Sequence, residues 1–233
     1  MKISINQPAY FPWLGYFDRI DYADLHVVLD HVQFEKNSFI NRNRIISNQG
    51  FQWVTIPITK GENGDKSINK MRCLNNKWID THIKSMRQNY SKTPFFSDYF
   101  EVICDKLIDK KDSLNFIDIV ESVNKLLLGF LGINTPIIYS SELNLSSRKS
   151  DLVLDICLSQ KAKFYLSGVN GKDYLNEGKF KQYDVKILFQ SYQHPNYNQN
   201  RDEFIPFLSI IDLLFNHGPD SLEIIRKGRN FLK

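Results

Sequence analysis

The stretch that most constrains this chain runs from Asn6 to Phe17, Asn-Gln-Pro-Ala-Tyr-Phe-Pro-Trp-Leu-Gly-Tyr-Phe, directly after the short apolar run Ile3 to Ile5. Each proline removes a backbone donor, fixes its own φ and pushes the residue before it toward extended geometry. A strand therefore runs straight into a stiff, irregular loop over residues 6–13. That loop opens on the amides Asn6 and Gln7 and is walled by Tyr10, Trp13 and Tyr16. It has the makings of a preformed pocket rim. The competing reading is that these rings cover one edge of a core, since aromatics carry much of a core's buried area. For any single ring the core is the commoner outcome; for the whole stretch a site is the better reading.

With 233 residues the chain is long enough for a sizeable core, as one large domain or two small ones. Its 42% hydrophobic and 24% charged residues are ordinary for a globular protein and argue against disorder. The net charge of +4 is spread thinly rather than gathered in a run, so nucleic acid is not expected as a partner. A phosphorylated small molecule would suit it. Cys73, Cys104 and Cys157 are far apart and lack metal-ligand spacing, so neither a disulfide framework nor a metal site is indicated. The chain starts on a strand pattern rather than a signal peptide, and no apolar run approaches the ~20 residues of a membrane span. The expectation is a soluble, cytoplasmic protein with no transmembrane segment.

Apolar periodicity predicts strands at 2–5, 25–29, 51–58, 136–139, 163–166 and 185–189. Helices are predicted at 14–22, 77–90, 97–108, 116–131, 151–161, 209–216 and 219–231. Ser97-Asp98 serves as a plausible cap and Gly132 as a stop. Strands separated by helices indicate an α/β fold: a mostly parallel sheet flanked by helices, in one domain with a helical insertion near 75–131.

The best acid–base candidate is Asp30-His31 at the end of the apolar run Leu25 to Leu29, where a parallel strand delivers its C-terminus to the crevice that α/β folds use for ligands. Direct pairing requires the strand to have ended at Leu29, and a turn role for Asp30 is the alternative. Gln33, Asn41, Arg42, Asn43 and Arg44 follow as a polar cluster. Arginine matches phosphate or carboxylate oxygens and amides match sugar hydroxyls. Because Arg42 and Arg44 alternate, only one of them is expected to face inward. Ser167-Gly168 with Gly171 is a strand-to-loop glycine run whose amides could approach a phosphate, though turn geometry alone accounts for it. Tyr192, His194, Tyr197 and Gln199 form a second aromatic and polar loop, and His194 competes with His31 as the base. Asp212 and Asn216, at i and i+4 on an apolar helix, are read as ties to a loop.

These blocks carry a family resemblance. Gln7-Pro8-x-Tyr10-x-Pro12-Trp13-x-Gly15-Tyr16-Phe17, Asp30-x-Val32-Gln33-Phe34, Asn41-Arg42 and Trp53-x-Thr55-x-Pro57 resemble the WbqC-like proteins. So do Tyr165-Leu166-Ser167-Gly168, Tyr174-Leu175, His194-Pro195-x-Tyr197-x-Gln199 and the run Ser209 to Gly218. Many members carry histidine where this chain has Asn6, so that position holds no base here. The resemblance implies a place in bacterial O-antigen or other surface polysaccharide biosynthesis. The reaction it implies is N-acyl or aminoacyl transfer to a nucleotide-linked amino sugar, with a thioester of coenzyme A or acyl carrier protein as co-substrate and no bound cofactor. In that reading Tyr10, Trp13 and Tyr16 stack on the base or sugar, and Arg42 or Arg44 holds the pyrophosphate. Asn6, Gln7, Gln33, Asn41, Ser167, Tyr174 and Tyr197 complete the binding surface. Asp30 orients His31 or His194, and amides near Gly168 stabilise the oxyanion. A homodimer is compatible with the sequence. Nucleotidyl transfer or adenylation is a rival, although Trp13 and Tyr16 stand where that chemistry's histidines belong. A non-catalytic sugar-nucleotide-binding partner is the other.

Overall fold

The computed structural model describes residues 1–232. The chain starts on β1 (Lys2–Asn6), crosses through α1 (Leu14–Tyr22) and returns as β2 (Leu25–Val28). A long excursion follows. It comprises the antiparallel hairpin β3 (Arg42–Ser47) and β4 (Gly50–Thr55), the small pair β5 (Ile58–Thr59) and β6 (Arg72–Cys73), and three helices. The helices are α2 (Lys77–Tyr90), α3 (Phe96–Asp109) and α4 (Phe116–Phe130). The sheet resumes with β7 (Ile137–Tyr139), then α5 (Lys149–Ser159), β8 (Phe164–Ser167), α6 (Glu177–Gln182) and β9 (Lys186–Gln190). Helices α7 (Ile210–His217) and α8 (Ser221–Lys227) precede the closing strand β10 (Phe231–Leu232).

The six-stranded sheet has the order β10-β9-β8-β1-β2-β7, parallel except for β10. The chain grows outward from β1 through β2 to β7, then returns to the other side of β1 and grows outward again through β8. This is the doubly wound α/β arrangement, and its order reverses between β1 and β8. Strands β1 and β8 run parallel, Ile3 beside Tyr165, so their C-terminal ends emerge together at Asn6 and Ser167. The topology leaves a crevice there.

Alternation along β1 decides which face each residue serves. Ile3 and Ile5 enter a core with Val27, α5 residues Leu152, Val153 and Ile156, and Phe180. Ser4 and Asn6 point the other way, and Ser4 Oγ pairs with His26 Nδ1 at 2.8 Å. The larger core, on the α1 side, joins Phe11, Leu14, Phe17 and Ile20 to α2, α3, α4 and α7. Burying each such side chain stabilises the fold by about 1.5–3 kcal/mol. An ion-pair network fastens α1 to the C-terminal segment: Arg229 Nε donates to Asp18 Oδ1 at 2.8 Å, and Arg226 and Arg229 both engage Asp21.

The α/β class, the mostly parallel sheet and most elements agree with expectation; Gly132, at φ 68, ends α4 as predicted. Four local readings are corrected. Residues 42–47, where no strand is predicted, form one, and Ile45 and Ile46 pair across the hairpin with Gln52 and Phe51. Residues two apart on a strand share a face, so Arg42 and Arg44 both point away from the core while Asn43 and Ile45 point in. Helix α3 starts at Phe96 with Phe95 at the cap position and no side-chain cap, so Ser97-Asp98 lie inside its first turn. The last helix ends at Lys227, and Phe231 pairs with Gln190 on the sheet edge.

Candidate functional site

A cleft of about 950 Å³ occupies the crevice between the C-terminal ends of β1 and β8, within the range of small-molecule sites. Four strand ends supply its walls. Asn6 and Gln7 end and follow β1; Leu29, Val32 and Gln33 follow β2; Ser167 ends β8, and Gly168 and Tyr174 follow it; Gln190 and Tyr192 end and follow β9. Trp13 and Phe207 close one side, and Lys149, Leu152 and Val153 of α5 the other.

The proline loop builds the first wall. Pro12 O accepts from Ile210 N at 2.8 Å, and Asn43 Nδ2 donates to Phe11 O at 2.7 Å, which anchors the loop on both flanks. Phe11 itself sits at φ 46, a left-handed conformation that a bulky residue adopts only when its surroundings impose it. Gly15 lets the Trp13 indole fold back over α1, since a Cβ there would lie 2.4 Å from the ring. The indole meets Tyr192 edge-on at 5.4 Å and Phe207 at 5.7 Å.

Arg19 supplies the floor. From the second turn of α1 it reaches into the cleft with its Nη1 against Gly168, where a Cβ would lie 2.4 Å away. Its Nε is buried without a hydrogen-bond partner, and among the described residues no carboxylate pairs with it. The neighbouring Asp18 is already taken, by Arg229 and by Gln190 Nε2 at 2.8 Å. Burial pushes the Arg19 pKa down from its ordinary value. His26 stays neutral nearby: burial, then the Arg19 charge, pushes it down to about 3. Asn6 Nδ2 is a second buried donor without an acceptor, and it lines the same cleft.

Of the predicted binding residues, the cleft gathers Asn6, Gln7, Trp13, Gln33, Ser167, Gly168 and Tyr174. The others lie elsewhere for identifiable reasons. Tyr10 is fully buried in the helical layer, its hydroxyl 3.1 Å from His82 Nδ1. Tyr16 faces the core beside Phe17 and His26, where the helix period puts it. Asn41 Nδ2 ties the hairpin to Ile56 O at 2.8 Å. Arg42 donates to the carbonyls of Asn37 and Ser38 and lies over Trp53; Arg44 donates to Phe207 O and lies over Phe51. Tyr197 donates to Asp212 at 2.9 Å, and Gln199 joins it there, so Asp212 ties its helix to the loop as expected.

The acid–base candidates sit beside the cleft rather than in its lining. Strand β2 ends at Val28, and Asp30 and His31 do not pair directly. Ser140 stands between them. It donates its one proton to Asp30 Oδ1 at 3.0 Å, so His31 must donate Nδ1–H to Ser140 Oγ at 2.7 Å. In the neutral imidazole that tautomer leaves Nε2 as the lone-pair acceptor. Ser141 gives Asp30 two more hydrogen bonds, at 2.9 and 2.7 Å. His194 differs: its Nδ1 donates to Pro195 O, its Nε2 is buried without a partner, and burial pushes its pKa down. The three cysteines are buried and unpaired, their thiols pushed up to about 12 by burial. None of them lines the cleft. Among the described residues no group of three His, Cys, Asp or Glu could hold a metal ion, and no helix is long and apolar enough to cross a membrane.

Sequence reasoning missed Arg19, Gln190 and Ser140. Arg19 left one usable signal: it lies three residues after Tyr16, beside that residue on the face that helix periodicity assigns to the interior.

Residues 7–224 match the profile of the WbqC-like protein family. A relative from Mycobacterium tuberculosis, uncharacterized protein Rv1507c, is 28% identical over 229 residues, covering 98% of this chain and 99% of the relative. No solved structure matches the chain.

Proposed function

The chain belongs to the WbqC-like protein family, and on that premise we propose that it transfers an acyl or aminoacyl group to the amine of a nucleotide-linked amino sugar in bacterial surface polysaccharide biosynthesis. The observation that carries this reading is the cleft itself. It is of nucleotide-sugar size and lies at the switch point of a doubly wound sheet, where such folds hold nucleotides. Its aromatic wall at Trp13 and Tyr192 suits a base or sugar ring, and Gln7 and Gln33 suit hydroxyls.

The chemistry assigned to the site is simple. The sugar amine, once deprotonated, attacks the thioester carbonyl; the C–N bond forms, the C–S bond breaks and the thiolate leaves. His31 takes the amine proton on Nε2, with Ser140 and Asp30 holding its tautomer. His194, desolvated among Trp13, Tyr197, Phe204 and Phe207, is the poorer base. Backbone amides of the Gly168 loop are candidates for holding the oxyanion.

The test is consumption of acyl-coenzyme A or acyl carrier protein thioesters by the purified protein. Thiol release is expected only when an amino-sugar nucleotide is present. Exchange of pyrophosphate into ATP, with no donor consumed across a broad panel, would replace this reading with adenylation.

A further inference from the structure

We infer that the cleft floor is a built site for the phosphoryl oxygens of a nucleoside diphosphate, gripped by the Arg19 guanidinium with the Asn6 amide as a second donor. This deepens the reading above, because it names the part of the substrate that the cleft holds, and it stands or falls separately.

Four observations converge on it. First, Arg19 is a half-buried cation that makes no hydrogen bond or ion pair among the described residues. Its Nε lacks any partner, and the adjacent Asp18 is consumed by Arg229 and Gln190. Folding an unpaired charge into a protein is costly, and such a group persists where a ligand completes it. Second, its surroundings offer no hidden anion. The phenols of Tyr16, Tyr165 and Tyr174 are all pushed up by burial and stay neutral. Third, the other orphan in the same cleft, Asn6 Nδ2, is also a donor. A ligand that satisfies both must present acceptors there. Fourth, the chain clears space for the guanidinium: Gly168, the first residue after β8, leaves no room for a Cβ beside Nη1.

The choice of phosphoryl over carboxylate rests on place and shape. The site is at the switch point between β1 and β8, where doubly wound folds seat nucleotide phosphates. The planar guanidinium fork suits adjacent phosphoryl oxygens, and the lining as a whole, with Arg19 and Lys149 against Glu35, carries a net positive charge.

The experiment is isothermal titration of the full chain with inorganic pyrophosphate, uridine diphosphate, uridine and malonate. Pyrophosphate and uridine diphosphate should bind, and uridine and malonate should bind at least tenfold more weakly. Arg19→Gln should weaken both phosphorylated ligands by about 100-fold. Arg19→Lys, which keeps the charge but loses the fork, should weaken them by about tenfold. Gly168→Ala, which displaces the guanidinium, should also lower affinity. Because Arg19→Gln removes an unpaired charge whose Nε is enclosed, its ligand-free melting temperature should match or exceed that of the parent, so lost binding cannot be misfolding. No pyrophosphate or uridine diphosphate binding at millimolar concentration, equal binding by Arg19→Gln, or Arg19-dependent malonate binding as tight as pyrophosphate would each overturn the assignment. Arg19-dependent diphosphate binding without thioester consumption would keep this site and remove the acyl transfer. Unchanged transfer by Arg19→Gln would do the reverse.

Discussion

Two sets of arginines in this molecule meet opposite fates. On the hairpin, Arg42 and Arg44 donate to backbone carbonyls of Asn37, Ser38 and Phe207 and stack over Trp53 and Phe51, although Arg44 Nε itself has no partner. In the cleft, Arg19 has no such partners although Asp18 precedes it in the chain. The hairpin arginines lie next to each other in sequence and draw the eye. Yet it is lack of satisfaction, not clustering, that marks a cation kept for a ligand. Helix α1 holds the same contrast within three turns: Asp18 and Asp21 are paired to Arg229 and Arg226, while Arg19 between them is not.

That contrast can be broken by substitution, beginning with its paired half. Arg229→Ala leaves the carboxylate of Asp18, whose side chain is fully buried, with no cation and only Gln190 as a partner, while Asp21 keeps Arg226. We expect a loss of about 3 kcal/mol in urea unfolding at pH 7. A loss below about 1 kcal/mol would mean that the network is no stronger than a surface pair.

The carboxylate counterpart of Arg19 is Glu121 on α4, a half-buried acid whose only side-chain hydrogen bond among the described residues is from Asn124. Burial, with the Asp30 charge adding to it, pushes its pKa up to about 7 from 4.5. A raised folded-state pKa means that stability is fully present below about pH 4.5 and lost as pH climbs through 7. Asp212, pushed up to about 6, acts in the same direction at lower pH. Glu121→Gln should therefore be more stable than the parent by about 2 kcal/mol at pH 8 and near parity at pH 4.5. An unfolding midpoint that differs equally at both pH values would remove the proposed ionisation.

How much of this was legible beforehand follows the same line between local and distant causes. The β1–loop–α1 unit could be read because prolines, an apolar run and helix periodicity all act within a few residues. Asn6, Gln7, Ser167 and Gly168 could be placed in a site because each ends or follows a strand, and parallel strands deliver their ends to one edge. The order of the sheet could not, since β1 beside β8 joins residues 2–4 to 164–166. Strand β3 was hidden because its outward face is two arginines. Arg19 was hidden because its isolation depends on Arg229 and Gln190, distant in sequence, occupying Asp18. Similarly, the link from Asp30 to His31 runs through Ser140, which comes from the end of β7 and not from their own loop.

Smaller effects sharpen the comparison further. Arg19→Gln should raise ligand-free stability by about 1 kcal/mol, the usual cost that a binding site imposes on its fold; a fall by as much would show that Arg19 is structural. On the hairpin, Arg42→Ala should change stability by about 0.5 kcal/mol and diphosphate affinity by less than about twofold. A tenfold affinity loss there would move the ligand to the hairpin.

The most direct measurement is a crystal structure of the protein soaked with a nucleoside-diphosphate-linked amino sugar. We predict the diphosphate within hydrogen-bonding distance of the Arg19 guanidinium and Asn6 Nδ2, in the crevice between β1 and β8. A nucleotide lying instead against Arg42, Arg44 and Trp53, with Arg19 untouched, would contradict the account.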